Sequence, residues 1–170
     1  MKQKNLLLFV GPPASGKTTF AKKQMKLTGS AYISRDDIRF SKLQEGDDYF
    51  KYENEVFTDF IGAIKHYTND ESVSNIYVDA THINQKSRMK TLNRLDLNKY
   101  DKVIAFVFMV HKDVCLERNK KRDGLRRVPD KAIHDMYERF TFPLPSEPFD
   151  EVYIIDANEN IFDLAKGELV

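Results

Sequence analysis

Short apolar runs alternate along the chain with stretches in which apolar residues recur every three or four positions. Residues 5–10, Asn-Leu-Leu-Leu-Phe-Val, are apolar after the first position and halt at Gly11. That predicts a strand buried on both faces. Residues 17–27 predict a helix, closed by Thr28-Gly29-Ser30. Residues 31–34 and 75–79 predict further strands, as does 102–110, a continuous β-branched and aromatic run, and 150–156 predicts a last one. Between them Phe50, Val56, Phe57, Phe60, Ile61 and Ile64 fall on one face of a helix over 49–67. Met89, Leu92 and Leu95 do the same over 84–98. Helices are also expected over 112–121 and 131–140, the latter stopping before Pro143, Pro145 and Pro148, and in the tail after 156. Apolar strands separated by helices predict an α/β architecture with a central, mainly parallel five-stranded sheet between helical layers. The pattern does not give the strand order.

Composition narrows this picture by exclusion. The length of 170 residues suits one domain, expected over 1–170. The single cysteine, Cys115, excludes an internal disulfide and a cysteine zinc site, and the four histidines lack metal-ligand spacing. The longest apolar run, 103–110, falls far short of the ~20 residues that cross a bilayer. The five apolar residues 6–10 are too few for a signal peptide, so the expected location is cytoplasmic, away from membranes. Net charge is only +1, but charge is segregated: residues 45–59 hold six acids and one base, residues 118–127 six bases and one acid. A solvated helix face is the ordinary reading of such runs.

The chemistry begins at Gly11-Pro12-Pro13-Ala14-Ser15-Gly16-Lys17-Thr18, which fits G-x-x-x-x-G-K-[ST] between an expected strand and an expected helix. Polyphosphate needs many donors at short range, and backbone N–H groups supply them where glycines permit a tight wrap. The helix N-terminus adds further N–H groups and its positive dipole end. Gly11, Pro13, Ala14, Ser15, Gly16, Lys17, Thr18 and Thr19 are thus expected to hold a nucleotide. Lys17 would reach the β- and γ-phosphates, and the Thr18 hydroxyl would bind Mg²⁺. The fold class implied is a three-layer P-loop NTPase.

Ser34-Arg35-Asp36-Asp37-Ile38-Arg39 follows the second strand. In an open parallel sheet the strand C-termini share one ligand-binding edge, which puts Asp36 or Asp37 near the γ-phosphate. A carboxylate there can orient an acceptor hydroxyl and take its proton; Arg39, one turn on, can hold an acceptor anion. The plainer alternative is a helix N-cap at Asp36 or Asp37. Asp79 ends the third strand at the same edge, where it can hold Mg²⁺ through water or serve as a cap. His82 suits a hydrogen-bonded turn better than catalysis.

The basic segment suits a helical lid over about 112–140. Arg118, Arg122 and Arg126 are candidates to meet the donor phosphates, and Gly124 is a flexible point. Lys121-Arg122-Asp123-Gly124 also spells the K-x-D-G of nucleic-acid ligases, but only 46 residues follow Gly124, too few for a nucleotidyltransferase domain.

Over most of residues 5–156 the chain resembles the P-loop kinase module of bacteriophage and bacterial polynucleotide 5′-hydroxyl kinases, with zeta-toxin-like and AAA-type small P-loop kinases as wider relatives. The matching pieces are Gly-Pro-Pro-Ala-Ser-Gly-Lys-Thr (11–18), Arg-Asp-Asp-Ile-Arg (35–39), Val-Asp-Ala-Thr (78–81), Arg-Asn-Lys-Lys-Arg (118–122), Val-Pro (128–129) and Met-Tyr (136–137). The resemblance implies Asp36 as general base, Arg39 on acceptor phosphate, Asp79 at the acceptor or metal side and Arg122 on the donor phosphates. His82 stands where that family usually has Asn. The function expected is ATP- and Mg²⁺-dependent transfer of a γ-phosphoryl group to a DNA or RNA 5′-hydroxyl end. A kinase for a nucleoside, nucleotide or other small molecule is the first alternative, and a nucleotide-binding switch without phosphotransfer the second.

Overall fold

The first apolar run splits its side chains between two cores. In the computed structural model, which describes residues 3–26 and 29–170, the run forms β1 (Asn5–Val10). Leu6 and Leu8 pack against Phe57, Phe60, Ile61 and Ile64 of α3 (Glu53–Asn69). Leu7 and Phe9 pack on the other face against Phe20 and Ala21 of α1 (Lys17–Gln24). Phe9 meets Phe20 edge-on at 5.8 Å. Full burial of a side chain of that size contributes roughly 2–3 kcal/mol. This two-sided burial is why β1 lacks polar alternation.

Among the described residues the sheet has seven strands, in the order Ser30–Ser34, Asn75–Asp79, β1, Lys102–Met109, Glu151–Asp156, Ile161–Asp163 and Glu168–Leu169. β2 (Ser30–Ser34), β3 (Asn75–Asp79), β1, β4 (Lys102–Met109) and β5 (Glu151–Asp156) are parallel, as expected. Their C-terminal ends share one edge, and Ser34 pairs in register with Asp79 there.

The tail departs from expectation. Instead of a helix it forms β6 (Ile161–Asp163) and β7 (Glu168–Leu169), an antiparallel extension of β5. The Asp156 carboxylate accepts from the backbone N–H groups of Asn158 and Asn160, Glu159 takes a positive φ, and the chain reverses. Local side-chain turn chemistry thus wins over helix continuation.

The helix expected over 49–67 starts only at Glu53, so Phe50 lies before it and is 49% exposed instead of in the core. The helix expected over 84–98 is α4 (Gln85–Leu92), opened by an Asn84–Ser87 capping box. It gives way to a 3₁₀ turn, Leu97–Lys99, whose N-cap is Asp96. The expected end of the first helix, at Leu27 and Thr28, lies outside the described residues. The other α-helices among the described residues are α2 (Arg35–Lys42), α5 (Lys112–Lys120) and α6 (Asp130–Glu138). The proline-rich stretch after α6 is tied to α4 by a buried Arg88–Glu147 pair. No described helix is long and apolar enough to cross a membrane.

Candidate functional site

Between β1 and α1 the backbone wraps tightly. A Cβ at Gly11 would lie 3.0 Å from both the Phe108 Cβ and the Ser15 Oγ, so any side chain there would crowd its neighbours. Ala14 and Gly16 take φ values of 62° and 100°, the left-handed turn that bends the chain into the helix N-terminus. The Lys17 Nζ donates to the carbonyls of Gly11 (3.0 Å) and Pro12 (2.7 Å). Burial lowers the Lys17 pKa, opposed by the negative charges of Asp79 and Asp36.

Asp79, at the end of β3, is buried beside this loop. Its Oδ2 accepts from the Thr18 hydroxyl at 3.2 Å and the Tyr32 hydroxyl at 2.7 Å. It caps no helix, because Asn84 fills that role for α4. Burial raises its pKa, against the Lys17 charge and the two hydroxyl bonds. A carboxylate and a hydroxyl at the phosphate loop are the hard oxygen donors that suit Mg²⁺, which commonly takes one or two protein ligands and fills the rest with water and phosphate oxygen. Thr18 and Asp79 could therefore hold that ion.

Ser34 caps α2, its Oγ accepting from the Asp37 N–H at 3.1 Å. The capping alternative for Asp36 and Asp37 is thereby filled by another residue. The Asp36 Oδ1 accepts instead from Arg39 and, at 3.1 Å, from the Tyr49 hydroxyl. Arg39 is only 6% exposed, pairs also with Glu53 at 2.8 Å and lies over the Tyr49 ring at 4.7 Å. Glu53 binds Arg35 with its other oxygen. Arg39, expected to meet an acceptor anion, thus has its charge met by two carboxylates.

The basic segment divides in space. Arg118 donates to the Ala14 carbonyl at 3.4 Å, on the phosphate loop. Arg122 lines the same cavity, close enough to Lys17 for its charge to lower the Lys17 pKa further. Arg126 lies elsewhere: it faces Asp37 of α2 at 3.7 Å and sits 5.2 Å from the Phe40 ring centroid. The segment is closed at its base by Asn119, whose amide donates to the Val128 carbonyl (2.7 Å) and accepts from the Val128 N–H (3.1 Å). His82 is buried between the Phe9 carbonyl and the Thr91 hydroxyl, each at 3.0 Å, the structural role expected of it.

These groups enclose one cavity of about 500 Å³. Pro13, Ala14, Ser15, Gly16, Lys17, Thr18 and Thr19 line it together with Asp36, Arg39, Asp79 and Arg126. Gly11 shapes the loop without lining the cavity. Tyr32, Tyr49 and Glu53 escape sequence reasoning, because each acts through a partner from another element. The Tyr49-Phe50 pair inside an acidic stretch is the one local signal.

Residues 6–143 match the AAA domain family. No curated protein sequence matches significantly. Among solved structures, a fungal RNA kinase shares 16% identity over 92% of this chain and 74% of that one, with a TM-score of 0.61. A sugar kinase from Janibacter sp. HTCC2649 shares 15% over 93% and 87%, TM-score 0.58. A gluconokinase from Sinorhizobium meliloti 1021 shares 12% over 92% and 85%, TM-score 0.57. At such identities the likeness is one of fold.

Proposed function

The chain belongs to the AAA domain family, and we propose that it is an ATP- and Mg²⁺-dependent kinase that moves the γ-phosphoryl group to the 5′-hydroxyl of a DNA or RNA end. The observation that carries the reading is Asp36: a carboxylate not used for capping, in the same cavity as the phosphate loop and Arg122. Arg39 and Tyr49 hold its Oδ1, and its other oxygen, Oδ2, would orient the acceptor hydroxyl and take its proton as attack proceeds. Lys17 would exchange its two carbonyl partners for phosphate oxygens. Arg122 would approach from the lid, over about 112–140, and meet charge that grows on the transferring group. Thr18 and Asp79 would hold Mg²⁺, which would supply charge neutralisation on the phosphates.

A second reading, a kinase for a nucleoside or other small molecule, is favoured by one feature. Arg39 is already neutralised by Asp36 and Glu53, so recognition of an acceptor phosphate costs it existing bonds. Radiolabelled ATP offered with 5′-hydroxyl oligonucleotides, nucleosides and sugars separates the two. Transfer to oligonucleotides that weakens steeply with salt supports the first; transfer only to nucleosides or sugars supports the second. Lys17→Ala should lower any of these rates by roughly 10²-fold or more in a folded protein.

A further inference from the structure

We propose that Phe40, Phe50 and Arg126 form a stacking platform for the nucleobase attached to the reacting hydroxyl. The proposal rests on the kinase reading above and specifies what part of the acceptor this side of the cavity grips.

Phe50 is 49% exposed at the cavity wall, although the hydrophobic pattern assigns it to a core face. Leaving so much apolar area in water forfeits stabilisation that burial would give. Its ring stands edge-on to Tyr49, with centroids 4.9 Å apart. Tyr49 is in turn the hydrogen-bond donor to Asp36 at 3.1 Å, so the exposed ring lies one side chain away from the candidate base. Phe40 flanks Tyr49 from α2 at 6.2 Å, and the Arg126 guanidinium covers Phe40 at 5.2 Å. A ring and a planar guanidinium thus border the space beside Asp36.

Flat π-faces of this kind recognise bases through stacking, with little dependence on sequence. A polyol needs instead a set of free donors and acceptors. The buried polar groups here bind one another, Arg39 to Asp36 and Glu53, Arg35 to Glu53 and Tyr49 to Asp36, while Arg126 and Asp37 face each other at 3.7 Å on the exposed side. Within a nucleoside only the ribose separates the 5′ oxygen from the base. A hydroxyl at Asp36 therefore brings its own base towards Phe50 and Phe40.

The test compares an oligonucleotide carrying a normal 5′ nucleoside with one whose 5′ residue is abasic, on wild type, Phe50→Ala, Phe50→Trp and Phe40→Leu. Wild type should show a KM roughly tenfold higher for the abasic end. Phe50→Ala should raise the KM for the normal end by a similar factor, leave kcat nearly unchanged and erase the difference between the two acceptors. Phe50→Trp should preserve that difference, and Phe40→Leu should shrink it. Phosphorylation of both ends with equal KM by wild type overturns the platform while leaving the kinase reading intact. A fall in kcat without a change in KM in Phe50→Ala also overturns it, because the ring would then act only by positioning Tyr49. Transfer to sugars with none to oligonucleotides or nucleosides overturns the 5′-end reading and the platform with it.

Discussion

Arg88 and Glu147 meet out of reach of solvent, Nε to Oε2 at 2.6 Å and Nη2 to Oε1 at 2.7 Å, with both side chains 0% exposed. The remaining guanidinium hydrogens go to the carbonyls of His82, Thr141 and Phe142. Glu147 also accepts from the Leu144 N–H. Burial pushes the Glu147 carboxyl up, and the Arg88 and Leu144 bonds more than reverse this, so it stays below its usual range.

Glu147→Gln should therefore destabilise the fold by roughly 3–5 kcal/mol, because Arg88 keeps its charge in a dry site without a counterion. Arg88→Met combined with Glu147→Leu should cost less than the single change. Urea denaturation of the three proteins checks the order.

His82 makes stability depend on pH. Burial, opposed by the bond to the Phe9 carbonyl, holds its pKa down to about 3, against about 6.5 in an unfolded chain. Between those values the unfolded chain binds a proton that the folded one refuses, so stability rises with pH. The contribution is fully present above about 6.5 and is lost progressively as pH falls towards 3, by up to about 1.4 kcal/mol per unit. His82→Gln should flatten this part of the slope. Urea midpoints measured for both proteins between about pH 7 and pH 5 should converge at the acid end if the assignment holds.

Asp36→Asn should cut phosphoryl transfer by roughly 10²-fold or more while ATP affinity stays unchanged, since the amide keeps size but loses basicity. Asp37→Asn should be milder: it loses a 3.7 Å contact with Arg126. Single-turnover rates and nucleotide titrations of both decide. A dead Asp37→Asn beside an active Asp36→Asn would transfer the role to Asp37.

The arginines of the basic segment should separate by kinetic parameter. Arg122→Ala, near the phosphate loop, should lower kcat by roughly 10³-fold, with partial recovery in Arg122→Lys, whose ammonium lacks the planar fork. Arg126→Ala, beside Phe40, should raise the acceptor KM and spare kcat. Full steady-state kinetics of the three variants test the division. Uniform weakening of oligonucleotide binding by each would mean an undifferentiated basic patch instead.

The strands and the phosphate loop were legible because each is written in neighbouring residues: an unbroken apolar run, or glycines at fixed spacing before Lys17. The place of Asp36, two residues past a strand at the sheet edge, was legible for the same reason. The tail was not, since its direction turns on Asp156 binding backbone groups a few residues later, which competes with helix continuation on nearly equal terms. At Arg39 and Phe50 the sequence leaves out a neighbour that the structure supplies. Spacing shows that Arg39 lies one turn from Asp36, but not that Glu53, from another helix, neutralises it. An apolar residue at helical spacing reads as core until the helix start is known, and here α3 begins after Phe50.

Asn119 satisfies both backbone polar groups of Val128 with one amide, and Val128 is itself buried. The two anchor points are thus joined directly, side chain to backbone, across the loop they bound. Loop closure grows only slowly costlier with length, so insertions, deletions or foreign sequence between these anchors should leave the scaffold folded. The basic loop is in this sense a cassette, a stretch that selection or an engineer can rewrite without unfolding the sheet beneath it, while Asn119 and Val128 remain as its sockets.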